Sequence, residues 1–398
     1  MALKRVLLVN KFFYPRGGDC VVTINLMRLL QSKGHEVAVF SMDYAENIDS
    51  EWKAYFPESV DFSKGSKWKA FARLFGGAGV RQKFVKMLED FRPDVVHLHN
   101  VHSYLSPVMA RIAWERGIPV FWTLHDYKLI CPSYSCLLRG KPCEKCYLEK
   151  GHVLREKCMK GSLPASLLAY LEAKYWSRPK LEKWTTRFIC PSSFMASKMR
   201  QGGFAEDKLQ VLCNFVSGEY GKVRMQDETA KEEAYCYVGR LSSEKGIETL
   251  LKAASELPYT FYVAGTGPEE ERLHALYRSP QIVWLGRLNA GEVRDLLQKV
   301  RFSVMPSECY ENNPLSVIES LCMGTPVLGS NAGGIPELIR PKETGLVYRM
   351  GDEKELKDDI IYLFSHRLKN SDSIRQEALL RFSMDKHYED LMKIYDGR

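Results

Sequence analysis

Two glutamates, Glu311 and Glu319, bracket the start of a helical pattern in the stretch Glu311–Glu337, ENNPLSVIESLCMGTPVLGSNAGGIPE. Asn313 is a good N-cap residue and Pro314 suits a first helical position. Leu315, Val317, Ile318, Leu321 and Cys322 keep helical spacing, and Gly324 stops the run just before Pro326. The pattern therefore predicts a helix opening directly after a polar loop, with unpaired N–H groups and the positive end of its dipole turned outward. That is an anion site suited to a phosphate. Carboxylates on either side of it suit sugar hydroxyls at Glu311 and a ribose at Glu319. A capped core helix with one exposed glutamate is the plainer reading of the same residues.

Other residues carry chemistry by position. His125 and Asp126 follow the apolar run IPVFWTL, at what should be the carboxyl end of a buried strand, where open α/β sheets bind ligands. Gly17 and Gly18 follow the first strand and could let backbone approach a ligand, or could simply make a turn. His97 and His99 alternate on one strand as a metal pair or as packed, hydrogen-bonded rings. Cys136, Cys143, Cys146 and Cys158 are spaced Cys-x6-Cys-x2-Cys-x11-Cys, with Cys131 just before. The Cys-x2-Cys knuckle with two flanking cysteines is the spacing of a structural zinc site. Free thiols in a mobile acceptor loop are the alternative.

The elements that position these residues alternate strand and helix. Strands are expected at 4–10, 35–41, within PDVVHLHN at 93–100, at 118–127, from 187 and at 209–215. After a polar, aperiodic linker at 216–233 the pattern restarts, with strands at 234–241, from 259 in YTFYVAGTGPEEERL, at 282–288, 302–308, 325–330 and 345–349. Gly239 and Arg240 end one of these strands. Gly265 and Gly267 form a glycine turn after the next. The fold class is thus α/β, with two doubly wound Rossmann-like domains facing a cleft. Domains are expected at 1–215 and 216–375, with the cysteine loop at about 131–158 inside the first.

A length of 398 residues accommodates that plan. MALKRVLLVN is too short an apolar run for a signal peptide, and no stretch approaches the ~20 apolar residues of a membrane span, so a cytoplasmic protein is expected. Eleven cysteines, an odd number, argue against a disulfide framework. The net charge of +8 is uneven: residues 64–86 carry seven Lys/Arg and no acid, and residues 150–200 carry eleven against three Glu. Both stretches contain aromatics. Trp68, Phe71, Ala72 and Phe75 keep helical spacing among Lys64, Lys67, Lys69 and Arg73, which fits an interfacial amphipathic helix or a core helix with a basic outer face. Anionic lipid or an anionic acceptor fits this asymmetry. No nucleic-acid-binding module is legible.

In order along the chain, GRLSSEKG, AGTGPEEERL, the Glu-x7-Glu pair Glu311/Glu319, GTPV and GGIPE resemble the retaining glycosyltransferases of family 4, which have the two-domain GT-B fold. The Gly17-Gly18 loop and TLHDY fit as well, and the cysteine loop resembles a bacterial glycan-assembly subset. The resemblance implies roles. Arg240 and Lys245 would neutralise the departing diphosphate, Glu311 with the backbone of Asn312, Asn313, Pro314 and Leu315 would bind the donor sugar, and Glu319 the ribose. Gly239, Gly265 and Gly267 would border the nucleotide, His125 would reach the sugar, and Gly17 and Gly18 would close over diphosphate or acceptor. It further implies a UDP- or GDP-sugar donor, a glycan or lipid-linked acceptor, no cofactor for catalysis, work at the inner face of the cytoplasmic membrane, and a C-terminal helix at 376–398 crossing back to the first domain. A nucleotide-sugar 2-epimerase, a phosphorylase or an inactive nucleotide-sugar-binding subunit would share the fold. Arg240 and Lys245 together with the glutamate pair argue against the first, absence of a cofactor lysine signature against the second, and the intact residue set against the third.

Overall fold

The structure, a computed structural model, describes residues 3–60, 67–224 and 231–397. The chain divides into two compact units. The first comprises Met1–Cys136, Cys143–Cys213 and Tyr388–Arg398, and the second Leu137–Pro142 and Asn214–His387. The junctions expected at 215/216 and 375/376 thus fall at 213/214 and 387/388.

The first unit holds a parallel sheet of β1 (Arg5–Val9), β2 (Glu36–Phe40), β3 (Val95–Leu98) and β4 (Val120–Thr123). A two-stranded hairpin, β5 (Leu137–Leu138) with β6 (Lys141–Pro142), interrupts the order, and β7 (Arg187–Cys190) and β8 (Leu209–Val211) complete the sheet. The strand order is β2-β1-β3-β4-β7-β8. β3 and β4 are buried at every position, as central strands covered on both faces must be. Their largely apolar runs are why they were legible as strands. Register is set by pairs such as Leu7 with Val96 and Leu98 with Trp122.

The second unit repeats the plan with β9 (Glu232–Val238), β10 (Thr260–Ala264), β11 (Ile282–Gly286), β12 (Val300–Met305), β13 (Val327–Ser330) and β14 (Gly345–Tyr348), in the order β11-β10-β9-β12-β13-β14. Its core is aromatic: Tyr235 stacks on Phe261 at 4.7 Å and on Phe302 at 5.3 Å. In both sheets the strand order reverses beside the first strand, between β1 and β3 and between β9 and β12. Loops leaving those neighbouring strands on opposite faces open a crevice at the carboxyl edge, the place such sheets bind ligands.

Three expectations change. The helix in the opening stretch is Leu315–Cys322, with Pro314 as its N-cap in extended conformation, so Asn313 does not cap it. The reason is that Asn313 is engaged elsewhere: its side-chain oxygen accepts from the Asn214 N–H at 2.9 Å, and its carbonyl accepts from Asn214 Nδ2 at 2.8 Å. The basic aromatic helix spans Lys67–Leu74 and ends before Phe75. Lys64 and the side chains of Lys67, Trp68 and Lys69 lie outside the described residues. Finally, the cysteine loop carries the β5/β6 hairpin, too short to leave a periodic signal.

Among the described residues, no helix is long and apolar enough to cross a membrane.

Candidate active site

At the β9/β12 switch point, β9 runs into Gly239 and Arg240. A short turn at Ser243–Lys245 then leads through Gly246 into the helix Ile247–Ser255. β12 leads into Ser307–Glu311. The two loops are tied by the Glu308 N–H donating to the Glu244 carbonyl at 2.9 Å. That tie brings Lys245 Nζ to within 2.6 Å of Glu311 Oε1, and the Ser307 hydroxyl donates to the same oxygen at 2.6 Å. Burial works to lower the Lys245 pKa, but Glu311, Cys309 and Glu244 together outweigh it and raise it, so the ammonium is held charged. Arg240 is exposed, and its guanidinium has no hydrogen-bond or ion-pair partner among the described residues. The arrangement is a fixed carboxylate–ammonium pair, with the exposed Arg240 earlier in the same loop as Lys245, a set of groups able to grip a polyhydroxyl group and a phosphate.

The end of the opening stretch returns to its beginning. The Gly334 N–H donates to the Glu311 carbonyl at 2.8 Å. Gly333 has φ +65°, and a Cβ there would stand 2.1 Å from the Glu311 carbonyl oxygen. GGIPE therefore buttresses the backbone of Glu311 instead of opening an independent turn.

Gly265 and Gly267 have a related task. A Cβ on Gly265 would lie 1.8 Å from the Gly239 carbonyl oxygen, and one on Gly267 2.1 Å from that of Leu241. Hydrogen bonds from Gly239 N–H to the Ala264 carbonyl and from Leu241 N–H to that of Thr266, both 3.0 Å, zip the loops together. These glycines position Arg240 by close packing of backbone on backbone.

Glu319, inside the helix Leu315–Cys322, is pushed up to about 7 by burial, against the opposing pull of the Tyr220 hydroxyl bonded to it and of Arg294. Arg294 also lies over the Tyr220 ring at 5.6 Å. Neither Tyr220 nor Arg294 was marked by any sequence signal: Tyr220 sits in the aperiodic linker and Arg294 on the outer half of a helix. One consequence concerns pH. If Glu319 accepts from a ligand hydroxyl as a carboxylate, the apparent donor KM rises as pH falls through about 7 and the Glu319→Gln variant loses that limb. A carboxyl whose folded-state pKa exceeds its unfolded value binds its proton more tightly when folded, so it costs stability as pH rises toward 7. Glu319→Gln should therefore melt higher than the parent protein at about pH 8, and the two should converge in acid. Equal melting temperatures at both pH values would refute the assignment.

The first unit has its own cluster at the β1/β3 switch point. His125, after β4, bonds through Nε2 to His99 Nδ1 at 2.9 Å, and its ring stacks on that of His99. Burial takes its pKa down to about 4, so the ring is neutral near pH 7. His97 stacks on His99 at 4.5 Å and bonds the Tyr395 hydroxyl at 2.6 Å and the Thr123 hydroxyl at 2.8 Å, so these histidines are packed and hydrogen-bonded. Beside them Lys11 is largely desolvated, which lowers its pKa, while Asp126 and Asp19 act to keep it charged. Asn100 Nδ2 donates to Asp19 Oδ2 at 3.2 Å. Lys11 and Asp19 were overlooked, although Lys11 stands at the end of β1, where strand-end reasoning applies. Gly17, the N-cap of the helix Gly18–Ser32, and Gly18 are exposed, and a Cβ on Gly18 would meet nothing within 4 Å. The backbone there is open to solvent.

The cysteines of the loop lie near one another: Cys131 is hydrogen-bonded to Cys136, and the Cys143 N–H donates to the Cys136 carbonyl at 2.7 Å. None of the eleven forms a disulfide, and among the described residues no group of three or more His, Cys, Asp or Glu is disposed to hold a metal. Cys136 is buried against the Tyr147 hydroxyl at 3.7 Å, whereas Cys146 and Cys158 pack with Val153 and Ala169. Burial, with the neighbouring Cys131 and Cys158, pushes Cys146 up to about 12, whereas hydrogen bonding with Cys136 brings Cys131 down to about 6.

Two parallel sheets of this kind, each with its ligand edge at a switch point, define the GT-B class of glycosyltransferase. Family models described as "Glycosyltransferase Family 4" and "Glycosyl transferases group 1" match residues 16–219 and 223–380. The chain is 33% identical over 373 residues to the glycogen synthase of Mycobacterium tuberculosis, covering 86% of this chain and 81% of that one. It is 26% identical over 410 residues to an uncharacterized protein in the cps region of Klebsiella pneumoniae, covering 98% and 100%. A sulfoquinovosyl transferase of Arabidopsis thaliana is 22% identical over 336 residues, covering 83% of this chain, which spans only 60% of that relative. Among solved structures, the sucrose-phosphate synthase of Thermosynechococcus elongatus superposes with a TM-score of 0.72 at 17% identity, covering 99% of this chain and 98% of that one. The Anabaena protein HepE in complex with UDP and glucose superposes with a TM-score of 0.69 at 15% identity, covering 99% and 100%. The chain belongs to glycosyltransferase family 4.

Proposed function

We infer that the chain is a retaining glycosyltransferase that moves a sugar from a UDP- or GDP-sugar to a glycan or lipid-linked acceptor in the assembly of a surface polysaccharide. The observation that carries this reading is the Lys245–Glu311 pair at 2.6 Å, in a loop that also carries the exposed Arg240. Glu311 accepts from hydroxyls of the donor sugar. Lys245 keeps N–H donors beyond the one given to Glu311, and these reach the diphosphate. Arg240 adds a second cation as negative charge grows on the leaving oxygen. The bond from the anomeric carbon to the phosphate oxygen breaks and one to the acceptor oxygen forms on the same face. The acceptor's proton passes to the leaving phosphate, so no side-chain nucleophile is required. Glu319 with Tyr220 holds the ribose. Two cations at the leaving group supply the role a metal has elsewhere, so the reading requires no cofactor. The Klebsiella relative in the cps region and the basic composition of residues 64–86 and 150–200 favour a surface-glycan acceptor and peripheral work at the cytoplasmic face of a membrane.

Hydrolysis of a nucleotide-sugar panel followed by proton NMR tests this. The expected result is consumption of one UDP- or GDP-sugar with release of the sugar in the donor's anomeric configuration. Release of the opposite anomer first would refute retention, and inertness toward the whole panel would refute the donor class.

A further inference from the structure

The helix Leu163–Tyr175 carries an apolar stripe on its outer face. Its inner face buries Ser166, Ala169 and Glu172, the last in an ion pair with Lys128 at 2.9 Å. Its outer face carries Leu163, Leu167, Leu171 and Tyr175, which are 53%, 44%, 39% and 40% exposed. These positions recur every four residues and make a stripe about 18 Å long. A surface helix ordinarily turns polar residues outward. Here the only charged residue of the helix besides the buried Glu172 is Lys174.

The apolar surface continues beyond the helix. Phe75 packs edge-on against Tyr175 at 5.0 Å, and Phe71, 40% exposed, packs on Phe75 at 5.1 Å. A basic fringe borders it: Lys180 lies over the Tyr175 ring at 4.7 Å, and Lys183 lies over the exposed Trp114 ring at 4.7 Å. From Lys157 to Lys180 the sequence carries five cations and a single acid, the buried Glu172.

The geometry points to this face as a membrane-docking surface, with Leu163, Leu167, Leu171 and Tyr175 entering the headgroup–acyl boundary of an anionic bilayer and the lysines meeting its phosphates. Charge complementarity selects that occupant, because apolar side chains bordered by Lys180, in a segment from Lys157 to Lys183 with six cations against Glu172 and Glu182, match a negatively charged lipid surface. A second copy of the chain fits poorly. The stripe exposes on the order of 300 Å², against about 800 Å² per partner in a stable interface, and two such faces would oppose like charges. The inference deepens the membrane-side part of the proposed function and rests on it, but it does not depend on the donor chemistry.

Co-sedimentation of the full chain with vesicles of phosphatidylcholine, alone and with phosphatidylglycerol, tests it. The parent protein should bind the anionic vesicles, and more weakly as salt rises. The double variant L167E/L171E should lose at least about tenfold in vesicle affinity while keeping its melting temperature and its rate of nucleotide-sugar hydrolysis in lipid-free solution. K180E/K183E should lose the preference for anionic over neutral vesicles. Binding of L167E/L171E equal to the parent's would overturn the assignment, as would a parent dimer that this variant dissociates without any vesicle binding. Loss of vesicle binding with hydrolysis intact removes the surface alone. Absent hydrolysis with vesicle binding intact supports the surface and removes the donor chemistry.

Discussion

Lys245→Ala is expected to lower sugar transfer by about 10²- to 10³-fold, the usual loss when one preorganised donor is removed from developing charge. Lys245 Nζ is 2.6 Å from Glu311 Oε1, and Ser307 shares that oxygen. The substitution therefore has two effects. It removes a cation from the leaving group, and it leaves Glu311 a half-buried carboxylate held only by Ser307 among its strong donors. Loss should appear mainly in kcat, because the charge on the leaving oxygen grows toward the transition state. Lys245→Arg is not a neutral control. A planar guanidinium would keep the charge without the compact geometry that fits one carboxylate oxygen and a phosphate together, so partial activity is expected. Both variants should keep the parent's circular dichroism, since the loop tie from Glu308 N–H to the Glu244 carbonyl uses backbone atoms alone.

Gly265→Ala is expected to have the largest effect on stability. Gly265 has φ +139°, and a Cβ there would stand 1.8 Å from the Gly239 carbonyl oxygen. Backbone cannot yield as the end of a flexible side chain can. The cost combines an unfavourable dihedral with overpacking, about 3 kcal/mol or more, which for a unit of this size lowers the melting temperature by roughly 6–12 °C. Activity should fall with it, because the clash displaces the strand end that carries Arg240. Gly18→Ala makes the contrast. Nothing lies within 4 Å of a Cβ there, and the position begins the helix Gly18–Ser32, where alanine is favoured, so stability should hold or rise slightly. Any loss of activity in Gly18→Ala would then report a ligand approaching that backbone. Thermal unfolding of the two variants side by side checks both statements.

The fold was legible because its central strands are buried and read as largely apolar runs; β3 and β4 have no exposed residue. The Glu-x7-Glu spacing was legible because both residues belong to one loop and helix. What joins Glu311 to Lys245 was not, since that contact spans 66 residues and exists only because β9 and β12 are neighbours in the sheet. Asn313 misled because local propensity favours capping, whereas Asn214, far away in sequence, claims its polar atoms. The cysteine spacing suggested a ligand set, and the thiols of the loop do lie near one another, but the β5/β6 hairpin between Cys136 and Cys143 left no periodic signal. The Lys11, Asp19 and Asp126 cluster needed the strand order, which no single segment encodes.

The central claim is that the β9/β12 crevice holds a nucleotide-sugar and that Lys245 acts on its leaving group. The most direct test is single-turnover consumption of a saturating UDP- or GDP-sugar by the parent protein and by Lys245→Ala, together with nucleoside diphosphate binding measured by calorimetry. The account predicts rapid consumption by the parent, a loss of about 10²-fold or more in the variant, and weakened diphosphate binding. Equal consumption rates for the two proteins, with equal diphosphate affinity, would contradict it.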